Sequence, residues 1–177
     1  MEVGEAIEGR RSIRRFQTRR VHKDLIGKIL DSARWAPSSG NIQNWQFIVV
    51  EDKGKRLQLS EAAAGQSFVA IAPVDIVVCV DNSNMDIFYG KRGVEMYSFQ
   101  NSAAAIQNML LTAHSLGLGS CWVGAFEEEA VKRILKIPDE IIPVAIIAIG
   151  YPAEKPPAPT RRELKSMVFL EEWGKRA

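Results

Sequence analysis

Between residues 10 and 16 the chain reads Arg10-Arg11-Ser12-Ile13-Arg14-Arg15-Phe16, four guanidinium groups and a hydroxyl within seven residues. Arginine offers a planar fork of donors matched to phosphate or carboxylate, and each charge-assisted bond to a phosphate oxygen contributes roughly 1.5–3 kcal/mol. Such a run is either a solvated basic face or an anion grip. Two details favour the grip. Ser12 is a small neutral donor among cations, and Ile13 with Phe16 supplies apolar anchors, so that Arg10, Ser12 and Arg14 share one side of an extended chain at period two.

No other group is equipped to do chemistry alone. Cys79 and Cys121 each lie in an apolar run, with no C-x-x-C and no nearby histidine, and read as reduced core residues. His22 and His114 are far apart with no acid placed to orient either, and His114 reads as a hydrogen-bonded core histidine. The stretch Gly117-Leu118-Gly119-Ser120-Cys121-Trp122 has two glycines of a dinucleotide fingerprint, but Trp stands where the third should be. It also follows a helical pattern where the fingerprint follows a strand. Neither G-x-x-x-x-G-K-[ST] nor G-x-S-x-G occurs. If the chain is an enzyme, a cofactor carries its chemistry.

The elements that must position these residues are legible from periodicity. A helix is expected over 2–9, and a second over 24–34, where Leu25, Ile26, Ile29, Leu30 and Ala33 form one stripe. It stops at Pro37 and opens a loop, 37–45, made almost entirely of neutral hydrogen-bonding side chains. Strands are expected over 46–51, 74–80, 120–124 and 143–150, with helices over 55–64 and 127–136. Gly65-Gln66-Ser67 is a break, read as a connector that could face a ligand. The longest helix, 94–116, lies in a region with no Asp, Glu, Lys or Arg from Met96 to Phe126. Gln100, Asn101, Gln107, Asn108 and His114 interrupt it too often for a lipid-facing span, so it is expected to be buried, partly against a second subunit. Residues 151–159 hold four prolines and read as an extended linker. The tail, 160–177, carries Arg161 and Arg162 at its head and Phe169, Leu170 and Trp173 for docking.

At 177 residues and 46% hydrophobic content the chain has the size of a single domain, 1–177, with one core. A net charge of +2 is too small for nucleic acid as principal partner, and seven of the 23 Lys and Arg lie between Arg10 and Lys23. The charge is a local anion site. The N-terminal residues show no apolar signal region, and a cytoplasmic location is expected.

Three stretches together, RRSIRRF at 10–16, APSSGNIQNWQF at 36–47 and GLGSCWVG at 117–124, resemble the FMN-dependent nitroreductase family in order and spacing. The resemblance implies an α+β fold with a central, mainly antiparallel sheet flanked by helices. It implies an intertwined homodimer whose C-terminal tails cross to the partner subunit, with FMN in clefts at the interface. By the same resemblance Arg10 and Ser12 match the positions that hold the FMN phosphate, Arg11 belongs to the cofactor-binding set, and Arg14 is the cation that tunes the flavin ring electrostatically. Pro37, Ser38, Ser39 and Asn41 match the loop that reaches the ring from the partner. Trp122, Val123 and Gly124 match the segment whose backbone approaches it, Gln66 a polar contact to its pyrimidine edge, and Arg161 or Arg162 a tail cation returning to the phosphate.

The implied activity is NADH- or NADPH-dependent reduction of nitroaromatics, quinones or similar acceptors, donor and acceptor using one pocket in turn. A flavin-binding or sensor protein of the same fold, with little turnover, is the alternative. Two departures bear on it. Asn44 stands where the family usually has proline, which is expected to loosen the loop, and residues 81–93 are short where larger members insert covering helices, which is expected to leave the site open.

Overall fold

The computed structural model describes residues 1–176. Strand β2 (Val74–Asp81) is buried from Val74 to Val80, as a continuous apolar run must be when both of its faces are covered. It lies beside β4 (Ile141–Gly150), with β1 (Trp45–Val50) and β3 (Gly119–Val123) at the edges in the order β1-β2-β4-β3. All neighbours are antiparallel. Val78 pairs with Ala145 and Cys79 with Pro143, so Val144 is bulged. The irregularity falls beside a residue that has no N–H to donate, beyond Ile146 where β3 stops pairing.

Period two sorts the core. Val74, Ile76, Val78, Ile147 and Ile149 pack with Ile26 and Ile29 of α2 (Lys23–Arg34) and with Ile106 and Met109 of α6 (Ser98–Ser115). On the other face Val77, Cys79, Ile146 and Ala148 meet Leu59 of α3 (Lys53–Ala62), Val69 of α4 (Ser67–Ile71) and Val131 of α7 (Glu128–Leu135). Helix α1 (Val3–Gly9) packs on α6.

Two helices were not expected from sequence. Helix α4 spans five residues, too few to show a period. Helix α5 (Ser83–Arg92) buries only Met85 and leads through a π turn, Gly93–Tyr97, into α6. Residues 81–93 therefore supply a helix beside the polar loop where an open edge was expected. The uncharged α6 buries Ala105, Ile106, Met109, Leu110 and Ala113, but Phe99, Gln100 and Gln107 face solvent. With Ile87 and Phe88 of α5 also exposed, one chain leaves an apolar face around the start of α6.

Asp75 breaks the apolar run of β2. It is fully buried, and neither carboxylate oxygen has a hydrogen-bond partner among the described residues. Burial pushes its carboxyl well above the ordinary range, against the opposing pull of Arg56. The folded state thus keeps a proton that the unfolded chain releases near pH about 3.9. Above that pH folding loses about 1.4 kcal/mol per unit until the folded carboxyl itself ionises. Urea unfolding of wild type and Asp75→Asn between about pH 4 and pH 8 should show the wild type losing stability relative to the variant as pH rises. Parallel profiles would mean that Asp75 is solvated or paired in the native state.

Candidate functional site

Helix α1 ends at Gly9, and Arg10 leaves it in an extended conformation with its N–H still donating to the Ala6 carbonyl at 3.1 Å. Ser12 then bridges to Ser120 in parallel, and the Ile13 N–H donates to the Ser120 carbonyl at 2.9 Å. Ile13 presses so closely on β3 that a Cβ at Gly119 would sit 2.7 Å from its Cγ1. On the other side one oxygen of Glu154 accepts from the N–H groups of Arg14 (2.6 Å) and Arg15 (3.0 Å), and the Ala153 N–H donates to the Arg15 carbonyl at 2.8 Å. The cation segment is wedged between β3 and the chain leaving β4, with Ile13 and Phe16 buried as its anchors.

Arg10, Arg11, Ser12, Arg14 and Arg161 line one cavity of about 280 Å³ together with Pro156, Pro157 and Pro159, and no acidic side chain is among its walls. Arg11 is partly spent: its Nη1 donates to the carbonyls of Glu8 (2.5 Å) and Arg10 (2.9 Å), at the C-terminus of α1. The guanidinium groups of Arg10 and Arg14 donate to no other described residue, and Arg14 lies 5.8 Å from the Phe68 ring centroid. Arg162 turns instead to the Ser166 carbonyl at 3.4 Å. The result is a cavity with uncommitted guanidinium donors and a hydroxyl, a donor set suited to a doubly charged anion.

From Ser120, beside Ser12, strand β3 runs to Trp122, Val123 and Gly124, and four residues of strand carry the backbone about 13 Å away. Trp122 is exposed and Val123 buried. A Cβ at Gly124 would meet nothing within 4 Å among the described residues. Gln66 donates from Nε2 to the carbonyls of Ala63 (3.0 Å) and Ala125 (3.4 Å), which places it beside Gly124 with Oε1 left over as an acceptor.

The polar loop between α2 and β1 holds three residues in the left-handed region, Gly40 (φ 56°), Asn41 (φ 55°) and Gln43 (φ 51°). Tyr89 of α5 covers it, its hydroxyl 2.6 Å from where a Cβ at Gly40 would stand. Pro37 and Asn41 are exposed, while Ser38 and Ser39 are half-buried. The Ser38 hydroxyl accepts from the Gln43 N–H at 3.0 Å, and Gln43 Nε2 donates to both the carbonyl and the side-chain oxygen of Asn41, each at 3.1 Å. The donors left over are the Ser38 hydroxyl proton and Asn41 Nδ2.

Against known proteins, residues 7–151 match the model of the Nitroreductase family. The chain belongs to the nitroreductase family. A provisionally named NADH dehydrogenase/NAD(P)H nitroreductase of Methanothermobacter thermautotrophicus is 39% identical over 179 residues, covering 98% of this chain and 88% of that protein. The oxygen-insensitive NADPH nitroreductase of Salmonella typhimurium is 31% identical over 176 residues, covering 96% and 73%. Among solved structures, an FMN-dependent nitroreductase of Clostridium difficile R20291 superposes with a TM-score of 0.83 at 30% identity, over 97% of this chain and all of that one (100%).

Among the described residues of this nitroreductase-family chain, neither cysteine nor His114 is poised to act as nucleophile or base. Burial pushes the Cys79 thiol up to about 12 and raises that of Cys121, so both stay protonated at neutral pH. Contrary to expectation His114 is not a hydrogen-bonded core residue. It is half-buried, its ring makes no hydrogen bond among the described residues, and burial followed by Arg10 and Arg11 pushes its pKa down. It serves as a neutral wall beside Gly9.

Sequence reading missed the residues that hold this site together, Glu154, Ser98, Asn101 and Tyr89. None sits in a motif, and Glu154 looks like one acid in a proline linker. Asn44 also departs from its expected role: it is buried and hydrogen-bonded to Ser98 and Asn101, so it anchors the loop that it was expected to loosen.

Proposed function

We propose that this chain works as a homodimer that reduces nitroaromatics, quinones or similar small acceptors at two equivalent sites, each completed by both subunits. As a nitroreductase-family member it is an NAD(P)H-dependent flavin oxidoreductase with FMN as cofactor. The observation that carries the shared site is a separation. Arg10 and Arg11 of the cation cavity also line an adjoining cavity with His114, near the end of α6, while the polar loop is held by Asn101 near its start. Thirteen residues of helix put them about 20 Å apart. One chain does not bring its two half-sites together; a second copy, seated on the exposed apolar face around α5 and the start of α6, supplies the missing half.

The residues present suit FMN. Arg10 and Arg161 with the Ser12 hydroxyl hold its phosphate end in a cavity whose walls carry no acid among the described residues, and the β3 spacing carries the chain on to the open backbone at Gly124 and the acceptor oxygen of Gln66. When bound, FMN supplies a centre that takes and gives back two electrons as hydride. Arg14 contributes a fixed positive charge that favours the acquisition of negative charge by the ring. The partner's loop, lined by neutral donors, orients without adding charge. Trp122, exposed at the strand end, is an apolar surface for a planar donor or acceptor.

Anaerobic titration tests this directly. The purified protein should be yellow, NADH or NADPH should bleach it, and an added quinone or nitroaromatic should restore the colour. A yellow protein that neither nucleotide bleaches would be a flavin carrier, not a reductase.

A further inference from the structure

The buried polar side chains Asn44, Ser98 and Asn101 form one connected set. Asn44 Nδ2 donates to the Ser98 hydroxyl at 2.9 Å, and Asn101 Nδ2 donates to Asn44 Oδ1 at 3.0 Å. Asn101 Oδ1 then accepts from the Ser39 N–H at 3.0 Å and its hydroxyl at 3.3 Å. Ser98 and Asn101 stand three residues apart on one face of α6, so the set ties a rigid helix to the loop. The backbone of Asn44 is engaged as well, its carbonyl accepting from the Asp81 N–H at 2.9 Å. Every amide in this chain of bonds is both a donor and an acceptor. Such a network rigidifies its surroundings, and losing one member strands the others.

We propose that Asn44 is a positioning residue for the cofactor site, holding the Ser39 backbone through Asn101 and thereby fixing which donors the loop presents. Because Ser39 spends both its N–H and its hydroxyl proton on Asn101, it offers a ligand only lone pairs, and the presenting donors are the Ser38 hydroxyl and Asn41 Nδ2. The left-handed residues Gly40, Asn41 and Gln43 persist because the clamp over-determines the loop. Proline at this position has neither an amide oxygen nor an amide nitrogen to offer, so here a side-chain clamp stands in for a stiff backbone. The role rests on the reading that this loop borders the flavin.

Amide hydrogen exchange on the FMN-saturated protein tests the clamp, and flavin binding tests its purpose. In Asn44→Ala the Ser39 amide should exchange about tenfold faster or more, the loss of roughly one net hydrogen bond, while amides in the middle of α6 are unchanged. FMN should bind several-fold more weakly and its visible circular dichroism band should change. Asn44→Asp keeps an oxygen for Asn101 and should restore much of the Ser39 protection. Should Asn44→Ala fold poorly, Ser98→Ala removes only the anchor of Asn44 and should shift the same readouts in the same direction by less. Unchanged Ser39 exchange in the folded variants overturns the clamp. Faster exchange with wild-type FMN affinity and an unaltered dichroism band overturns the positioning role, because the loop then does not border the cofactor. Failure of the function reading looks different: wild-type protein, with Ser39 protected, that NAD(P)H does not reduce.

Discussion

Replacement of Arg10 by alanine is expected to weaken FMN binding by about one to two decades, the equivalent of losing roughly 1.5–3 kcal/mol of charge-assisted hydrogen bonding. The expectation comes from how the cavity is populated. Arg11 is partly committed to carbonyls at the end of α1, whereas the Arg10 guanidinium donates to no described residue and its side chain is half-buried. Arg10 shares this cavity with three further arginines, a crowding of like charge that a bound phosphate offsets. Riboflavin, which lacks the phosphate, separates this contact from general damage: its affinity should be nearly the same for wild type and Arg10→Ala. The effect should shrink as ionic strength rises. Fluorescence quenching of FMN and of riboflavin by the flavin-free protein gives both numbers. Equal FMN affinities for the two proteins would place the phosphate elsewhere.

Removal of residues 160–177 is expected to have the larger structural effect, dissociating the dimer and releasing the flavin together. Leu164, Met167, Leu170 and Trp173 are all exposed, Trp173 at 91%, and among the described residues Trp173 stacks on Phe169 at 4.6 Å between ring centroids. The hydrogen bonds and ion pairs that residues 163–176 make among the described residues stay within the tail. Exposed apolar side chains on a segment whose polar contacts stay local are best satisfied by the partner, and a tail crossing to the partner links assembly to flavin retention by mass action. Sedimentation velocity with absorbance at the flavin band follows both at once. Arg161→Ala separates the two roles, since it should weaken FMN while leaving the dimer intact. A truncated chain that sediments as a stable, flavin-loaded monomer would refute the shared site.

Much of the scaffold was visible in the linear chain. The stripe of Leu25, Ile26, Ile29 and Ala33 predicts α2 to within a residue, and the apolar runs at 74–80 and 143–150 become the two central strands. Helices α4 and α5 were invisible because a short helix, or one that buries a single side chain, leaves no periodic trace. Asn44 misled for a related reason. Reading it as the absence of proline says what stiffness is lost, but only the fold shows that Asn101, 57 residues further on, restores it.

What the sequence determined by itself were the properties that depend on neighbours along the chain: which segments bury a face, where helices stop, and that residues 10–16 concentrate cations between apolar anchors. Hydrophobic periodicity and turn chemistry act over a few residues, so they can be read without a fold. Tertiary structure alone decided what those cations meet. Arg161 joins Arg10 and Arg14 in one cavity, Glu154 grips the amides of Arg14 and Arg15 from 140 and 139 residues away, and Asn101 holds Ser39 across 62. It also decided that the cation cavity and the polar loop lie toward opposite ends of α6, the separation on which the proposal of a site shared by two chains rests. Hydrogen bonds and charge pairs act over a few ångströms of space regardless of separation in sequence, and only packing the helices on the two faces of the sheet brings those partners within reach.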